Sequence, residues 1–369
     1  MSDRTGRVGV GVIGAGVISS QYLDNLTGFP DLEVRFIADI DEVRARSQAE
    51  KYGVVGYGSV QQLLADDDIE IVVNLTIPAV HVEVALEVIA AGKHVWTEKP
   101  FGLDRVSGQQ LLDTAHAAGL RVATAPDTFL GAGLQSSRRL LESGAIGTPL
   151  TALTLLQSPG PESWHPNPDF LFQDGAGPLF DVGPYYLTAL VQLFGPVARV
   201  SAVASKSKAT RTIGSGPRAG ETFEVTVPTY VAALYEFESG QTAQSVFSFD
   251  SKLSRTQFEV AGVEGTLIVP DPNTFDGDLR VWSGGSEAEV IPSVGTTTTR
   301  GTGVLELARA IRAGEPERAS GEQAFHVLDI MVSTIEAAES GQSVAVASSV
   351  TIAPPLPEDW NPRANTLGA

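Results

Sequence analysis

The sequence predicts an α/β chain of two domains: an N-terminal doubly wound parallel sheet, and a C-terminal α+β domain with a large open, mostly antiparallel sheet. Its 369 residues are too many for one ordinary core. Up to about Ala125, apolar strand patterns alternate with helical patterns, which is typical of a parallel sheet covered on both faces. After Pro126 strands with alternating or aromatic character follow one another. We therefore predict domains at residues 1–125 and 126–369.

The first strand ends at a glycine-rich turn that leads into a helical pattern. The turn reads Gly14-Ala15-Gly16-Val17-Ile18-Ser19, a G-x-G-x-x-G sequence with serine in the third place. The first glycine allows a tight turn, the second lets the backbone approach a pyrophosphate, and the helix N-terminus offers free N–H groups. We predict a dinucleotide-binding Rossmann unit whose cofactor contacts include Gly14, Ala15, Gly16, Val17 and Ile18.

The second strand, Leu32–Ala38, is followed by Asp39, near the spacing at which an acid binds the adenosine ribose hydroxyls. Asp41 follows closely and would repel a 2′-phosphate, although Arg44 lies nearby on the next helix. The pattern predicts NAD as cofactor, with NADP possible. The alternative is that Asp39 only caps the helix that begins near Asp41.

The rest of the N-terminal half continues the alternation. Helices are predicted at 42–52, 59–65, 79–91 and 104–118, and strands at 70–75, 94–97 and 120–124. Ligands of such sheets bind beyond the carboxyl ends of the strands. The ends of these strands place Gly14, Asp39, Thr76 and Glu98 at that edge.

The C-terminal half begins with a helix at 130–143 and a strand at 151–157. A loop over 158–178, rich in Pro, Gly and Asp, is long enough to indicate a function, and a helix follows to Phe194. Strands of the large sheet are predicted at 197–204, 223–227, 230–238, 242–250, 257–261, 266–269, 279–282 and 289–291, and late helices at 304–312 and 322–339.

A second motif, Glu98-Lys99-Pro100, follows the strand at 94–97. Together with the glycine turn, Asn74-Leu75-Thr76-Ile77-Pro78 and His81, it resembles the Gfo/Idh/MocA family of nicotinamide-dependent oxidoreductases over nearly the whole chain. The resemblance implies that Lys99 contacts the nicotinamide ribose and the reacting hydroxyl, and that the Lys99–Pro100 bond is cis. The implied cofactor-lining residues are Thr76, Pro78 and His81, and Glu98, at the end of its strand, is also predicted to contact the cofactor. The alternative for His81 is a satisfied position in the interior.

Lys99 also makes chemical sense without the resemblance. Hydride transfer requires a hydroxyl to lose its proton as carbon gives up hydride, and a lysine beside the cofactor can polarise that oxygen. Burial and a positive nicotinamide would lower the pKa of such a lysine. The alternative is an ordinary surface lysine.

A second catalytic segment surrounds Asp181. In the family this position commonly carries an aspartate followed four residues later by a histidine; here Asp181 matches and Tyr185 replaces the histidine. Residues four apart share a helix face, so both side chains can meet one substrate. Asp181 can alternatively cap the helix, with Gly183 and Pro184 in its first turn. The replacement leaves open whether Lys99, Tyr185 or another group carries the proton.

Three further residues are candidates for substrate contact. Trp164 and His165 lie in the long loop before the Asp181 segment. The indole suits stacking on a sugar ring, and the imidazole can bind a hydroxyl or replace the missing histidine. The alternative is a rigid loop bounded by prolines. Asp127, just after the last strand of the first domain, is the weaker third candidate.

Composition excludes several classes of function. The formal net charge of −19, without a basic stripe, disfavours nucleic acid and anionic membranes. The absence of cysteine excludes disulfides and thiolate chemistry. The five histidines are scattered, so no metal site is predicted. With no apolar signal segment or membrane span, a cytoplasmic location is expected.

The combined prediction is an NAD-dependent oxidoreductase that moves a hydride between a secondary alcohol of a sugar, polyol or sugar derivative and nicotinamide. Two alternatives stay open: a non-catalytic NAD and sugar sensor, and an NAD-dependent glycosidase that oxidises transiently. Strands 230–238 and 242–250 carry many apolar or aromatic residues at the positions that point to each of the two sheet faces. We therefore expect a homo-oligomer, a dimer or tetramer, formed through the open sheet face.

Overall fold

The computed structural model describes residues 5–368 and divides into two compact units. The first unit comprises the chain up to Ala132, Val294–Phe325, and the chain from Ile352 onward. The second comprises Gly133–Ser293 and His326–Thr351. The linear boundary predicted after residue 125 therefore differs from the observed division, because the chain returns twice to the first unit.

The sheet of the first unit has six strands in the order β3-β2-β1-β4-β5-β6, all parallel to their neighbours. The strands are β1 (Val8–Ile13), β2 (Leu32–Ala38), β3 (Gly56–Gly58), β4 (Ile71–Asn74), β5 (His94–Thr97) and β6 (Val122–Thr124). The order of the strands reverses at β1, so this sheet is the predicted doubly wound sheet, with its ligand edge at the carboxyl end of β1.

Nine α-helices lie within the described part of the chain. They are α1 (Val17–Leu26), α2 (Glu42–Tyr52), α3 (Val60–Leu64), α4 (His81–Ala90), α5 (Arg105–Ala118), α6 (Ala132–Glu142), α7 (Gly177–Phe194), α8 (Thr302–Ala313) and α9 (Gly321–Ser340). Local signals explain several boundaries. Asp41 caps α2 and Asp104 caps α5 through their side chains, and both helices end at a left-handed glycine, Gly53 or Gly119.

The main sheet of the second unit has nine strands in the order β16-β15-β14-β13-β7-β12-β11-β8-β17. These are β7 (Pro149–Gln157), β8 (Val197–Ser205), β11 (Tyr230–Phe237), β12 (Thr242–Ser248), β13 (Arg255–Gly262), β14 (Thr266–Ile268), β15 (Leu279–Trp282), β16 (Glu289–Ile291) and β17 (Val344–Ala345). Only the β12–β7 pair is parallel, so the predicted mostly antiparallel sheet is confirmed.

One predicted strand belongs elsewhere. The segment at 223–227 was assigned to the large sheet, but the strand is only β10 (Thr222–Glu224), and it pairs with β9 (Thr210–Thr212) in a separate hairpin. A strand with alternating exposed and buried residues, such as β10, fits a large sheet and a small hairpin equally well. Periodicity identifies a strand but does not identify the strand with which it pairs.

Candidate active site

The glycine turn between β1 and α1 has the geometry of a pyrophosphate cradle. Gly14 has φ +101°, and a Cβ there would lie 2.6 Å from the carbonyl oxygen of Leu75, so only glycine fits. A Cβ on Gly16 would meet nothing within 4 Å. Helix α1 has no side-chain cap and no acidic residue in its first turn. The helix therefore begins beside open space at Gly16, which suits a bound dinucleotide phosphate.

Asp39 lies across this turn after β2. Its Oδ2 accepts the N–H of Ala15 at 2.7 Å, its Oδ1 accepts the N–H of Asp41 at 2.9 Å, and the Arg44 guanidinium lies 3.8 Å from Oδ2. Asp41, not Asp39, caps α2 through the amides of Val43 and Arg44. The cap interpretation of Asp39 is therefore wrong: its carboxylate braces the glycine turn at the cofactor edge.

His81 is 1% exposed and lies between two backbone carbonyls. Its Nδ1 is 2.9 Å from the Pro100 oxygen and its Nε2 is 3.0 Å from the Thr76 oxygen. Burial lowers the pKa of His81, although the two carbonyls oppose that shift. The ring is enclosed, as the interior alternative expects, and it ties the loop after β4 to the Lys99-Pro100 segment. Its contact with the cofactor stays a prediction.

Asn74, the last residue of β4, completes this tie. Its Nδ2 donates to the His81 oxygen at 3.0 Å, and its Oδ1 accepts the N–H and the hydroxyl of Thr76 at 3.2 and 2.7 Å. Thr76 and Pro78 are half-buried, and Pro78 begins a short 3₁₀ helix that precedes α4. Both keep the surface exposure that a cofactor contact requires.

The Glu98-Lys99-Pro100 motif follows β5, and its predicted cis Lys99–Pro100 bond is present. Glu98 is 7% exposed and bound on both oxygens: Oε1 accepts the Tyr22 hydroxyl at 2.7 Å and Oε2 accepts the Lys99 N–H at 3.0 Å. Trp96 Nε1 donates to the same hydroxyl at 3.2 Å. Burial and the Glu98 charge raise the pKa of Tyr22, so its phenol stays neutral and donates. Glu98 thus fixes the backbone of Lys99, whose side chain is half-buried.

Asp127 is fully buried, and its contact with the substrate stays a prediction. Its Oδ2 accepts the N–H groups of Gly301 and Gly303 at 3.0 Å each, at the start of α8. Its Oδ1 is also buried, and no hydrogen bond reaches it from residues 5–368. Burial raises the pKa of Asp127 to about 6, and the nearby Glu98 charge adds to the shift. The residue caps a helix below the site.

Asp181 and Tyr185 lie within α7, one turn apart on the same face. The helix begins at Gly177, after Ala176, so the alternative in which Asp181 caps it is wrong, and Pro184 lies inside the helix. Asp181 is half-buried and Tyr185 is 5% exposed. Their predicted roles toward the substrate stay predictions.

Trp164 and His165 lie where the sequence places them, in the loop before α7. Trp164 is 68% exposed. The His165 ring lies 5.6 Å from the indole, edge to face, and its Nδ1 accepts the Asn167 N–H at 3.1 Å. A neutral His165 therefore carries its proton on Nε2 and acts as a donor there, which disfavours the role of general base.

Sequence reasoning missed two residues that organise the site, Tyr22 and Trp96, and named Asn74 only as part of a motif. Tyr22 faces Glu98 from α1, and no local signal in a helical pattern marks such a long-range contact. No cluster of three or more potential metal ligands is found among residues 5–368.

Comparison with known proteins identifies the family. A family model described as "Oxidoreductase family, NAD-binding Rossmann fold" matches residues 8–125, and the GFO/IDH/MocA C-terminal domain model matches residues 134–268. Fold and site define an enzyme, an oxidoreductase that uses NAD(P). The chain belongs to the Gfo/Idh/MocA family, whose named members include sugar dehydrogenases and reductases.

Two curated relatives match almost end to end. A 1,5-anhydro-D-fructose reductase of Ensifer adhaerens is 24% identical over 346 residues, covering 92% of this chain and 99% of the relative. A D-xylose 1-dehydrogenase (NADP(+)) of Haloferax volcanii is 26% identical over 351 residues, covering 90% and 98%. The structure of a levoglucosan dehydrogenase with NADH and L-sorbose aligns with a TM-score of 0.80 at 20% identity, covering 93% and 99%, and shows the shared fold.

None of the helices within residues 5–368 combines the length and apolar character needed to cross a bilayer.

Proposed function

We propose that this enzyme transfers a hydride between a secondary alcohol of a sugar, polyol or sugar derivative and NAD(H). The observation that carries the proposal is the position of Lys99. It lies two residues after β5, at the carboxyl edge of the sheet that also bears the glycine turn, and Glu98 holds its backbone. A cationic group at this edge can polarise a hydroxyl or carbonyl oxygen.

Different residues of the chain are assigned to cofactor binding, to removal of the hydroxyl proton and to substrate binding. NAD(H), when bound, accepts or supplies the hydride. The amides after Gly16 hold its phosphates and Asp39 binds its adenosine ribose. Lys99 lowers the cost of removing the hydroxyl proton. Asp181 accepts a hydrogen bond from a substrate hydroxyl, and the Tyr185 hydroxyl donates one.

Three related proteins support the substrate class. The names of the Ensifer and Haloferax relatives and of the structural neighbour refer to 1,5-anhydro-D-fructose, D-xylose and levoglucosan. All three are carbohydrates that carry secondary alcohols or the matching ketone.

We propose NAD(H) over NADP(H) for this chain. The carboxylates of Asp39 and Asp41 stand at the end of β2, where a 2′-phosphate would lie, and the Arg44 guanidinium pairs with both. The Haloferax relative is named for NADP(+), so the preference varies among relatives.

The test is formation of NADH with a panel of cyclic sugars and alditols, followed by absorbance at saturating NAD. The proposal expects stoichiometric NADH and ketone with at least one carbohydrate. Release of an aglycone from a glycoside without accumulation of NADH would replace it by a glycosidase that oxidises transiently.

We further propose that the outer face of the large sheet joins copies of the chain. Val203 and Leu234 on this face are 63% and 54% exposed, an unusual exposure for apolar strand residues. The absence of nucleic-acid partners and the cytoplasmic location stay predictions.

A further inference from the structure

Helix α1 carries a fully buried tyrosine whose hydroxyl contacts the Glu98-Lys99-Pro100 motif. The Tyr22 hydroxyl donates to Glu98 Oε1 at 2.7 Å and accepts the Trp96 Nε1–H at 3.2 Å. A phenylalanine would fill an apolar position of this kind equally well, because the phenol only adds a polar atom that has to be satisfied. The hydroxyl of Tyr22 therefore indicates a requirement of Glu98 and not of the core.

The second oxygen of Glu98 holds the backbone of Lys99. Its Oε2 accepts the Lys99 N–H at 3.0 Å, and the residue is buried. A buried carboxylate is stable only when hydrogen bonds replace the water that it loses. Because both oxygens belong to one planar group, the donor that fixes Oε1 also fixes the direction of Oε2. Tyr22 thus determines where the acceptor of the Lys99 N–H lies.

Helix α1 is itself held close to Tyr22 by the segment before α8. Asn25 Nδ2 donates to Thr299 Oγ1 at 2.8 Å and to the Arg300 oxygen at 2.9 Å. Arg300 Nε donates to Gln21 Oε1 at 3.1 Å. A rotation of α1 about its axis would break these bonds, which lie on both sides of Tyr22 in the sequence. The hydroxyl therefore reaches Glu98 from a fixed element.

The residues on either side of the Lys99 N–H are held independently of α1. The Glu98 N–H donates to the Asn74 oxygen at 2.9 Å, and His81 Nδ1 lies 2.9 Å from the Pro100 oxygen. The Lys99 N–H lies between these two contacts and donates to the carboxylate that α1 orients. A change in that carboxylate therefore acts on one peptide unit, the unit that precedes the Lys99 side chain.

The Tyr22 phenol keeps its proton near neutral pH. Burial raises its pKa well above the ordinary value of 10.0, and the charges of Glu98 and Asp127 add to the shift. A phenol that does not ionise cannot relay a proton to or from a substrate. The contribution of Tyr22 is therefore geometric.

We propose that Tyr22 is a positioning residue for Lys99 and acts through Glu98. The hydroxyl holds the carboxylate, the carboxylate holds the Lys99 N–H, and the Lys99 side chain is thereby kept in reach of the reacting oxygen. The helix that begins at the glycine turn then sets the position of the cofactor and of Lys99 together. This inference rests on the proposed function, in which Lys99 assists removal of the hydroxyl proton.

Amide hydrogen exchange at Lys99 tests the geometry without any turnover. Tyr22→Phe keeps the ring but removes the donor to Glu98 Oε1. We expect the Lys99 amide of the ligand-free protein to exchange about tenfold faster, near the usual value of one hydrogen bond, as measured by nuclear magnetic resonance. Tyr52→Phe is the matched control, because the Tyr52 hydroxyl also bonds residues of α1 but does not touch the motif. It should leave exchange at Lys99 unchanged.

Single-turnover kinetics test the consequence for catalysis. With enzyme in excess over NAD and a saturating carbohydrate, the rate constant reports hydride transfer and the amplitude reports the active fraction. Tyr22→Phe should lower the rate constant about tenfold or more, up to the roughly hundredfold loss that a misplacement of about 1 Å can cause. The amplitude and the KM for the carbohydrate should stay unchanged. Tyr52→Phe should alter none of these quantities.

A double variant tests whether Tyr22 acts through Glu98. Glu98→Ala removes the acceptor of the Lys99 N–H and should lower the rate constant at least as much as Tyr22→Phe. Adding Tyr22→Phe to Glu98→Ala should lower the rate constant no further, because the hydroxyl then has no carboxylate to orient. Losses that multiply would show that Tyr22 acts by another route and would overturn the proposal.

The remaining outcomes separate this inference from the proposed function. An unchanged rate constant in Tyr22→Phe, with or without a smaller amplitude, overturns the positioning role and leaves hydride transfer standing. So does unchanged exchange at Lys99. If wild type forms no NADH with any carbohydrate, the proposed function is overturned, and amide exchange alone decides the geometry: faster exchange in Tyr22→Phe supports it, and equal exchange refutes it.

Discussion

At the residue scale, the cofactor edge of the first unit is built from polar side chains whose oxygens are bound mainly by backbone N–H groups. Asp39 accepts from Ala15 and Asp41, and Glu98 accepts from Lys99. Such bonds hold a carboxylate in one orientation because the donor cannot rotate away. The arrangement explains how the glycine turn and the Lys99 motif keep their geometry before any ligand arrives.

Cofactor preference depends on the charge of Asp39. Asp39→Asn keeps an oxygen for the Ala15 amide but loses the negative charge. We expect the ratio of the NADPH and NADH dissociation constants to fall by about tenfold, the lower range for a hydrogen bond to a charged group, as measured by fluorescence titration. Asp41→Asn removes a charge nearby while keeping the cap of α2, and should change the ratio less. Tighter binding of NADPH than of NADH by wild type would refute the preference.

The Tyr22 hydroxyl donates a hydrogen bond to the buried Glu98 carboxylate at 2.7 Å. Tyr22→Phe removes a donor from the buried carboxylate and the acceptor of Trp96 Nε1. We expect the free energy of unfolding to fall by about 1–3 kcal/mol, the cost of unsatisfied buried groups, in urea titrations. The matched control is Tyr52→Phe, whose half-buried hydroxyl bonds Asp24 and the Ser20 oxygen. Equal losses in both variants would contradict the role given to Tyr22.

The sequence predicted the residues that carry motifs and missed those that support them. Gly14, Gly16, Asp39 and Lys99 are recognised as candidates because turn chemistry and strand ends have local signatures. His81 and Asp127 were placed at the ligand surface, but both are enclosed. Sequence patterns show where a polar residue stands in its element and do not show how deeply neighbouring elements cover it.

At the element scale, the beginning of α7 shows the limit of capping rules. Asp181 followed by Gly183 and Pro184 is a plausible helix start, yet the helix begins four residues earlier, at Gly177-Pro178. Proline at the first turn is an equally good signal, and α7 contains both prolines. The earlier start places Asp181 and Tyr185 on successive turns of a regular helix.

Asp127, at the start of α8, makes the stability of the fold depend on pH. The folded-state pKa of Asp127, about 6, lies above its ordinary value of 3.8 because of burial. The folded state therefore binds a proton that the unfolded state has released, and this contribution to stability declines as pH rises from about 4 to about 6. In wild type, this residue makes the free energy of unfolding fall with rising pH by at most about 1.4 kcal/mol per pH unit. Asp127→Asn should remove that part of the pH dependence, as measured by urea unfolding at several pH values.

Asp104 provides a control of opposite sign. It caps α5, and the Ser107 amide and hydroxyl lower the pKa of its carboxyl. Its contribution is present above its ordinary pKa and declines as pH falls, so Asp104→Asn should lose stability mainly above pH 4. An identical pH dependence in the two variants would contradict the assignment for Asp127.

At the scale of the whole molecule, the sequence predicted both sheets but not the path of the chain. Val294–Phe325 and the segment from Ile352 onward return to the first unit. The fully buried Asp31 holds both returning segments. Its carboxylate accepts hydrogen bonds from the Arg309 side chain and from the amides of Thr366 and Leu367. Contacts between residues so far apart leave no periodic or compositional trace, which explains why a linear boundary was predicted.

The proposed oligomer can be tested on the outer face of the large sheet. Strand register places Val203, Ala232, Val246 and Leu155 side by side across four strands, an apolar row. Val203→Glu should produce a monomer near 38.8 kDa in light scattering, whereas Val55→Glu, at a 93% exposed site of the first unit, should not. A monomeric wild type at micromolar concentration would disprove the interface.

The central claim, hydride transfer assisted by Lys99, is tested most directly by the turnover of Lys99→Ala with the best carbohydrate of the panel. We expect a loss of about 10²–10⁴ in kcat, the range for a positioned acid or base, with NADH still bound in a fluorescence titration. Tyr185→Phe should lower kcat less and keep the alkaline limb of the pH profile. The account is contradicted if Lys99→Ala turns over like wild type, or if Tyr185→Phe abolishes turnover as fully and erases the pH dependence.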